Sequence, residues 1–197
     1  AHPTTSTRHL KTPPHTIIPD DDTSPSLDAN YIIAKDLRQL LTQEVGDEVM
    51  MINHHNPCDD ARDCVYDEYQ AIMEIGKATG KYKADPAKMK KQMDRYRSEG
   101  YPEHNGLIFA ACLIRKHNDP AVVKQMEDWW VEINNESKRD QLSFNYVAWK
   151  NDFQYKVLNG NLRNHEYFFM LAKHGQDFKN KYWKYRAKKM FGFRPKR

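Results

Sequence analysis

The sequence predicts an α/β fold, in which strands alternate with capped amphipathic helices. Three observations carry that prediction. Gly106 to Ile114 is the most continuous apolar run in the chain and reads as a central strand buried on both faces. Two Asp-Pro pairs, Asp85-Pro86 and Asp119-Pro120, each supply an N-cap followed by proline at the first helical position. Strand, short helix and strand follow one another from Leu27 to Ile52, the length of a compact βαβ unit with a parallel pair.

Residues 1–26, rich in Pro, Thr, Ser and Asp, read as mostly irregular. Leu27 to Ile33 reads as a short strand with Asp28 and Asn30 at its polar positions. Leu37, Leu40 and Leu41 stand at i, i+3, i+4, one face of a short helix, and Val49 to Ile52 is an apolar run suited to a buried strand. After a polar loop from Asn53 to Asp63, Val65, Tyr69, Ile72 and Met73 line a helical face that Gly76 or Gly80 ends. Met89, Met93 and Tyr96 form the apolar face behind Asp85-Pro86, with Gly100 as the stop. Val122, Met126, Trp129, Trp130 and Ile133 do the same behind Asp119-Pro120. Ser137-Lys138-Arg139-Asp140 matches a capping box and predicts a helix through Lys150. Phe153 to Leu158 predicts a final strand. Glu166 to Phe191 predicts a basic helix with Phe178, Tyr182 and Tyr185 on one face.

With 197 residues and 12% aromatics the chain can bury a core, which excludes global disorder. No stretch approaches the roughly 20 apolar residues of a membrane span. The net charge of +4 hides an asymmetry: residues 173–197 hold ten Lys and Arg against one acid, Asp177, so the tail carries +9 and the body −5. An acidic body gives no general case for a nucleic-acid partner. Three cysteines at irregular spacing make no disulfide framework and suit a reducing, cytoplasmic compartment.

Several groups can carry chemistry. Asp28-Ala29-Asn30 at a strand end offers oxygen ligands for a hard cation, although Asp-x-Asn also serves in turns. Arg62, Asp63, Tyr66, Asp67 and Glu68 stand at a loop-to-helix junction, either capping the helix or forming a polar rim in which Arg62 holds an anionic or hydroxyl-rich ligand. His55 and Cys58 have zinc-like spacing but no second pair beside them. Arg139-Asp140-Gln141 either belongs to the capping box or presents a carboxylate to a cleft. His165 and His174 are possible metal ligands from the far end of the chain. The basic tail reads as a solvated helix ahead of a membrane-surface helix or a phosphate clamp.

Taken in order, these blocks resemble a known family, over roughly residues 8–175. The resemblance rests on Pro14-His15, Leu27-Asp28-Ala29-Asn30, Arg62 through Glu68, Lys91-Gln92-Met93 with Tyr96-Arg97, and Glu99-Gly100-Tyr101-Pro102. It continues through Asn105-Gly106-Leu107, Ile114 through Asn118, Met126-Glu127-Asp128-Trp129-Trp130 and Lys138 through Phe144. The family comprises plant mucilage-related glycosyltransferases and bacterial or viral capsule-type sugar transferases. The resemblance implies a GT-A-like three-layer mixed sheet flanked by helices. It also implies transfer of a sugar from a nucleotide-diphospho-sugar to a glycan or other acceptor hydroxyl, with Mn(II) or Mg(II). By resemblance, Asp28, Asn30 and His174 (with His165 as second choice) are the metal ligands. Asp140 and Gln141 are the catalytic pair. Arg62, Asp63, Tyr66, Asp67, Gly106 and Arg139 bind substrate. A plant-like relative would place the activity in the Golgi lumen.

The chain departs from the family pattern in three places. Ser26 and Ala29 replace the usual Trp and Gly, and Pro25 predicts an edge or distorted strand. Ile108-Phe109-Ala110-Ala111 stands where polar residues are usual. Only 27 residues precede Asp28, too few for several βα units, so the N-terminal nucleotide-binding part is expected to be missing. The expected organisation is an irregular segment 1–26, a glycosyltransferase-like domain 27–172 and a basic tail 173–197. The competing expectation is a non-catalytic remnant or interaction module that keeps the fold. Lipid-amide hydrolysis, also attributed to the family, lacks a Gly-x-Ser-x-Gly elbow here.

Overall fold

The structure, a computed structural model, describes residues 14–16, 22–55, 61–172 and 177–191. Among these residues the chain forms six α-helices, a four-stranded mixed sheet and a two-stranded sheet. The strands are β1 (Ser24–Leu27), β2 (Tyr31–Ile33), β3 (Met50–His54), β4 (Ile108–Arg115), β5 (Lys156–Val157) and β6 (Phe168–Met170). The helices are α1 (Leu37–Leu40), α2 (Val65–Thr79), α3 (Pro86–Ser98), α4 (Pro120–Asn135), α5 (Phe144–Lys150) and α6 (Phe178–Met190). The α/β class is as the sequence predicts.

The larger sheet has the order β1-β4-β3-β5. As predicted, β4 is central, and seven of its eight residues are buried. It pairs antiparallel with both β1 and β3, which corrects the predicted parallel β1–β3 pair. β1 and β3 do run the same way, but the longest apolar strand lies between them, because only that position covers it on both sides. The one parallel pair among the described residues is β3 with β5. Pro25 lies on the edge strand β1, as expected for a residue without a ladder N–H. Because β1 starts at Ser24, a boundary after residue 26 would cut it.

The sheet separates two cores. Met50 and Ile52 face a core built with α2, α3, α4 and α5, whose centre holds Met93, Tyr96, Trp129 and Phe144. Met51, between them on the strand, faces the other way, onto Leu40, Val45, Leu162, Tyr167 and Phe168. This is the period-2 alternation of a strand. Among the described residues, only the first face carries a full helical layer. The second is covered by α1, a π turn (Leu41–Val45) and the small β2–β6 sheet.

The predicted caps of the helical layer form. Asp85 accepts from the amides of Ala87 and Lys88, and Asp119 from those of Ala121 and Val122. Gly80 and Gly100 follow α2 and α3 with φ of +67° and +82°, a region glycine enters at little cost.

Four expectations are corrected. Leu27 to Ile33 is not one strand: a turn at Asp28, closed by the Tyr31 amide on the Asp28 carbonyl at 3.1 Å, sends β2 into the second sheet. The Ser137 capping box does not form. Ser137 is buried, and its hydroxyl donates to Gln92 Oε1 at 2.5 Å, so a 3-10 turn (Asp140–Leu142) precedes a shorter α5. Phe153 to Leu158 supplies only the two residues of β5, and it is not the last strand. Part of the segment predicted as a basic helix, Phe168 to Met170, is β6, and α6 starts at Phe178.

Candidate functional site at the carboxyl edge of the sheet

Since β1 and β3 run in one direction, their carboxyl ends open on the same edge of the sheet, where β4 begins. Asp28 follows β1, and its amide donates to the Ala111 carbonyl at 2.9 Å. His54 closes β3 opposite Ile108. The register of β4 jumps between these positions: Ile52 pairs with Leu113, but Asn53 pairs with Phe109. The bulge therefore falls at Ala110 to Cys112, overlapping the apolar stretch that follows Leu107, and bulges re-aim side chains at sheet edges.

The Asp28-Ala29-Asn30 segment forms a turn, which replaces the strand alternation first assigned to it. Asn30 Nδ2 donates to the Ala172 carbonyl at 2.9 Å, and the Leu171 amide donates to the Asn30 carbonyl at 3.0 Å. Asn30 Oδ1 is left buried with no hydrogen-bond partner among the described residues. An orphaned oxygen two residues after the carboxylate-bearing Asp28 suits a hard divalent cation such as Mn(II) or Mg(II). His174 lies outside the described residues, two positions beyond Ala172. His165 is engaged elsewhere: its Nε2 is 3.1 Å from the Asn159 carbonyl, and its ring stacks on Phe168 at 4.6 Å.

Arg62 and Arg139, far apart in sequence, meet on one acid. Glu68, 4% exposed, binds Arg62 at 2.8 Å through Oε2 and lies 3.7 Å from Arg139 through Oε1. Arg139 also donates to Gln141 Oε1 at 3.0 Å. A carboxylate in the first turn of α2 favours the helix dipole, and two guanidinium groups offset its desolvation. Asp140 is half-buried. Its carboxylate accepts from the Gln141 amide at 3.1 Å, and its carbonyl accepts from Trp129 Nε1 at 3.2 Å. Gln141 Nε2 donates to the Ile108 carbonyl, while Asn145 Oδ1 accepts from the Ile108 amide, so two side chains hold the start of β4.

Gly106 has φ +85°, and a Cβ there would lie 3.0 Å from Asn145 Nδ2 and 3.5 Å from the His54 ring. It serves close approach. Beside it opens a cleft of about 380 Å³, lined by His54, Asn105, Asn145, Trp149, Asp152 and Tyr155 among others. Asn145 Nδ2 donates to the Tyr155 hydroxyl at 2.8 Å. Partial burial pushes the His54 imidazole below its usual pKa, against a smaller upward pull from Asp63. Tyr66 does not offer its hydroxyl to a ligand: it is buried, and the hydroxyl donates to the Tyr101 carbonyl at 2.9 Å.

One cluster escapes the sequence analysis. Cys64, Asp67 and His104 each place a ligand atom within 4.8 Å of the others. Asp63 Oδ1 lies 2.8 Å from His104 Nδ1. Cys64 at the N-cap of α2 and Asp67 three residues on were a visible signal, but His104 stands in a loop with no motif of its own. The zinc-like spacing of His55 and Cys58 cannot be compared with it, since residues 56–60 lie outside the described residues.

A family model for the TOD1/MUCI70 glycosyltransferase-like domain matches residues 11–174. The chain belongs to this family. The TOD1/MUCI70 match spans both sheets, the helical layer and every candidate site residue just described, and it ends before α6. No curated protein and no solved structure matches the chain. Membership makes the domain glycosyltransferase-like and implies a sugar donor and an acceptor. None of the described helices is long and apolar enough to cross a membrane.

Proposed function

We propose that the chain transfers a sugar from a nucleotide-diphospho-sugar to a hydroxyl of a glycan or similar acceptor, with Mn(II) or Mg(II) held by Asp28 and Asn30 and completed by His174. The observation that carries this reading is the orphaned Asn30 Oδ1 in the turn after β1, tied to Leu171 and Ala172 just before His174. Bound there, the cation would supply charge neutralisation of the departing diphosphate. Asp140, half-buried on the 3-10 turn, takes the proton of the acceptor hydroxyl. Gln141, fixed to Ile108 and Arg139, orients the sugar, and Gly106 lets it approach the backbone. Asp63 and Asp67 supply acceptor contacts at the rim of α2. The exposed edge of Trp149 and the Asn145 amide give the cleft an apolar face and a polar rim, which suit a sugar ring. The cytoplasm is the proposed compartment.

Calorimetry with Mn(II) and a panel of nucleotide-sugars, followed by a transfer assay, tests the reading. Donor binding that requires Mn(II), with a loss of roughly 100-fold or more in transfer for Asp28→Ala, is expected. Full activity in Asp28→Ala, or no donor binding across the panel, would overturn it.

One observation favours the second reading, a non-catalytic module. Arg62 and Arg139 are committed to Glu68, and Tyr66 to Tyr101, so these residues stabilise the fold whether or not substrate binds. Measurable donor hydrolysis or transfer by this chain excludes that reading.

A further inference from the structure

We propose that Cys64, Asp67 and His104 form a second cation site, selective for a borderline-soft divalent ion of the zinc type and distinct in chemistry from the all-oxygen pair Asp28 and Asn30. The three ligand atoms lie within 4.8 Å of one another, close enough to converge on one ion with small side-chain movement. Thiolate and imidazole donors favour zinc over magnesium or manganese, whereas carboxylate and amide oxygens favour the latter.

The surroundings are organised for this role. Asp63 Oδ1 lies 2.8 Å from His104 Nδ1, so the tautomer with Nδ1–H toward Asp63 leaves Nε2 as the ligand nitrogen. A carboxylate behind a ligating histidine is the usual way to fix its ring and raise its basicity. His104 itself has φ +54°, a left-handed conformation uncommon outside glycine and retained where surrounding structure holds it. Cys64 is the N-cap residue of α2 and Asp67 lies in its first turn, so one helix start places both donors. Arg62, the nearest guanidinium in sequence, is committed to Glu68.

On binding, the Cys64 thiol releases its proton to solvent and Sγ ligates as thiolate. Asp67 contributes one carboxylate oxygen and His104 one nitrogen. With the divalent ion, the thiolate and the carboxylate sum to zero charge. Three protein ligands leave a fourth tetrahedral position for water or a substrate oxygen, the pattern of reactive rather than purely structural zinc sites. The exposure of Asp67 and His104 provides the route in.

The test uses the full chain stripped with a chelator, then titrated with Zn(II) by calorimetry and with Co(II) by absorbance. One equivalent of Zn(II) and a sulfur-to-cobalt charge-transfer band in the near ultraviolet are expected. The band should vanish in Cys64→Ser and persist in Cys58→Ser and Asp28→Ala. Asp63→Ala should weaken binding by roughly 10- to 100-fold. Because Cys64 is buried and its variant can fail to fold, His104→Ala and Asp67→Ala supply the independent check: each should weaken Zn(II) binding at least about tenfold. Absence of stoichiometric binding by the wild type, a band that survives Cys64→Ser, a band lost in Cys58→Ser, or unchanged affinity in His104→Ala and Asp67→Ala would overturn the proposal. Asp28→Ala separates it from the transferase reading, since that variant alters sugar transfer and leaves the cobalt band.

Discussion

The two faces of the four-stranded sheet are covered by different means. On one, α2, α3 and α4 lie behind strong local signals, and their apolar faces meet in a core around Trp129, Tyr96 and Phe144. On the other, a single turn of α1, a π turn and two three-residue strands carry the cover, with partners more than 130 residues apart in sequence. The helices of the first face carry start and stop signals within their own turns, while packing supplies most of their stability. The second exists only once the ends of the chain meet. The candidate site lies where these faces share the carboxyl edge, and it draws Glu68, Arg62 and Gln141 from the first and Asn30 from the second.

The largest expected effect tests this asymmetry directly. Trp129 is fully buried, packs edge-on against Phe144 at 5.0 Å and bonds through Nε1 to Ser143 and Asp140. Trp129→Ala should cost about 4 kcal/mol, enough to threaten the whole domain. Leu40→Ala, on the other face, should cost about 3 kcal/mol. Denaturant titration measures both. Amide exchange then decides the comparison: β2 and β6 should exchange through local opening, and β4 only through global unfolding. Equal protection on both faces would break it.

That asymmetry also accounts for what the sequence made legible. Asp85, Asp119, Gly80 and Gly100 act within one turn of their helices, so their effect can be read locally. β4 was visible because burial on both faces demands an uninterrupted apolar run. β6 was invisible: Phe168 to Met170 becomes a strand only by pairing with Tyr31 to Ile33, and its aromatic and basic surroundings look helical. Ser137 misled for a similar reason, since a buried Gln92 side chain outcompetes the local amides it was expected to cap. In the candidate site, the residue types at Asp28, Arg62, Asp140 and Gln141 were readable, and the family resemblance named them together. The Glu68 clamp and His104 were not, because each depends on side chains brought together by the packing of α2 against distant loops.

A smaller effect sharpens the contrast on the helical face itself. Asp85→Ala and Asp119→Ala each remove two hydrogen bonds to helix amides and should cost about 1 kcal/mol. The same substitution at Asp36, the cap of α1, should cost less than this, since so short a helix has little structure of its own to lose. Thermal unfolding of the three variants checks the order. A cost at Asp36 equal to that at Asp119 would mean that α1 contributes as an autonomous helix and that the second face is less dependent on long-range contacts than proposed.

The smallest effect concerns two histidines joined electrostatically by Asp63 at the edge between the faces. Burial holds His54 below the ordinary 6.5, whereas the hydrogen bond His104 donates to Asp63 holds His104 above it. The signs are opposite. Protonation of His54 favours the unfolded chain, so its contribution to stability falls as pH drops through 6.5. His104 stabilises the fold fully below 6.5 and loses that contribution as pH rises through its raised value. Asp63, held below 3.8 by the same bond, keeps its contribution until pH falls through its lowered value. Imidazole proton resonances should therefore titrate on either side of 6.5. Asp63→Asn should move both downward, His104 further than His54, because Asp63 hydrogen-bonds the first and acts on the second only through charge. A His104 titration unmoved by Asp63→Asn would show that the pair is not formed in solution, and the fixed ring on which the second cation site depends would be lost with it.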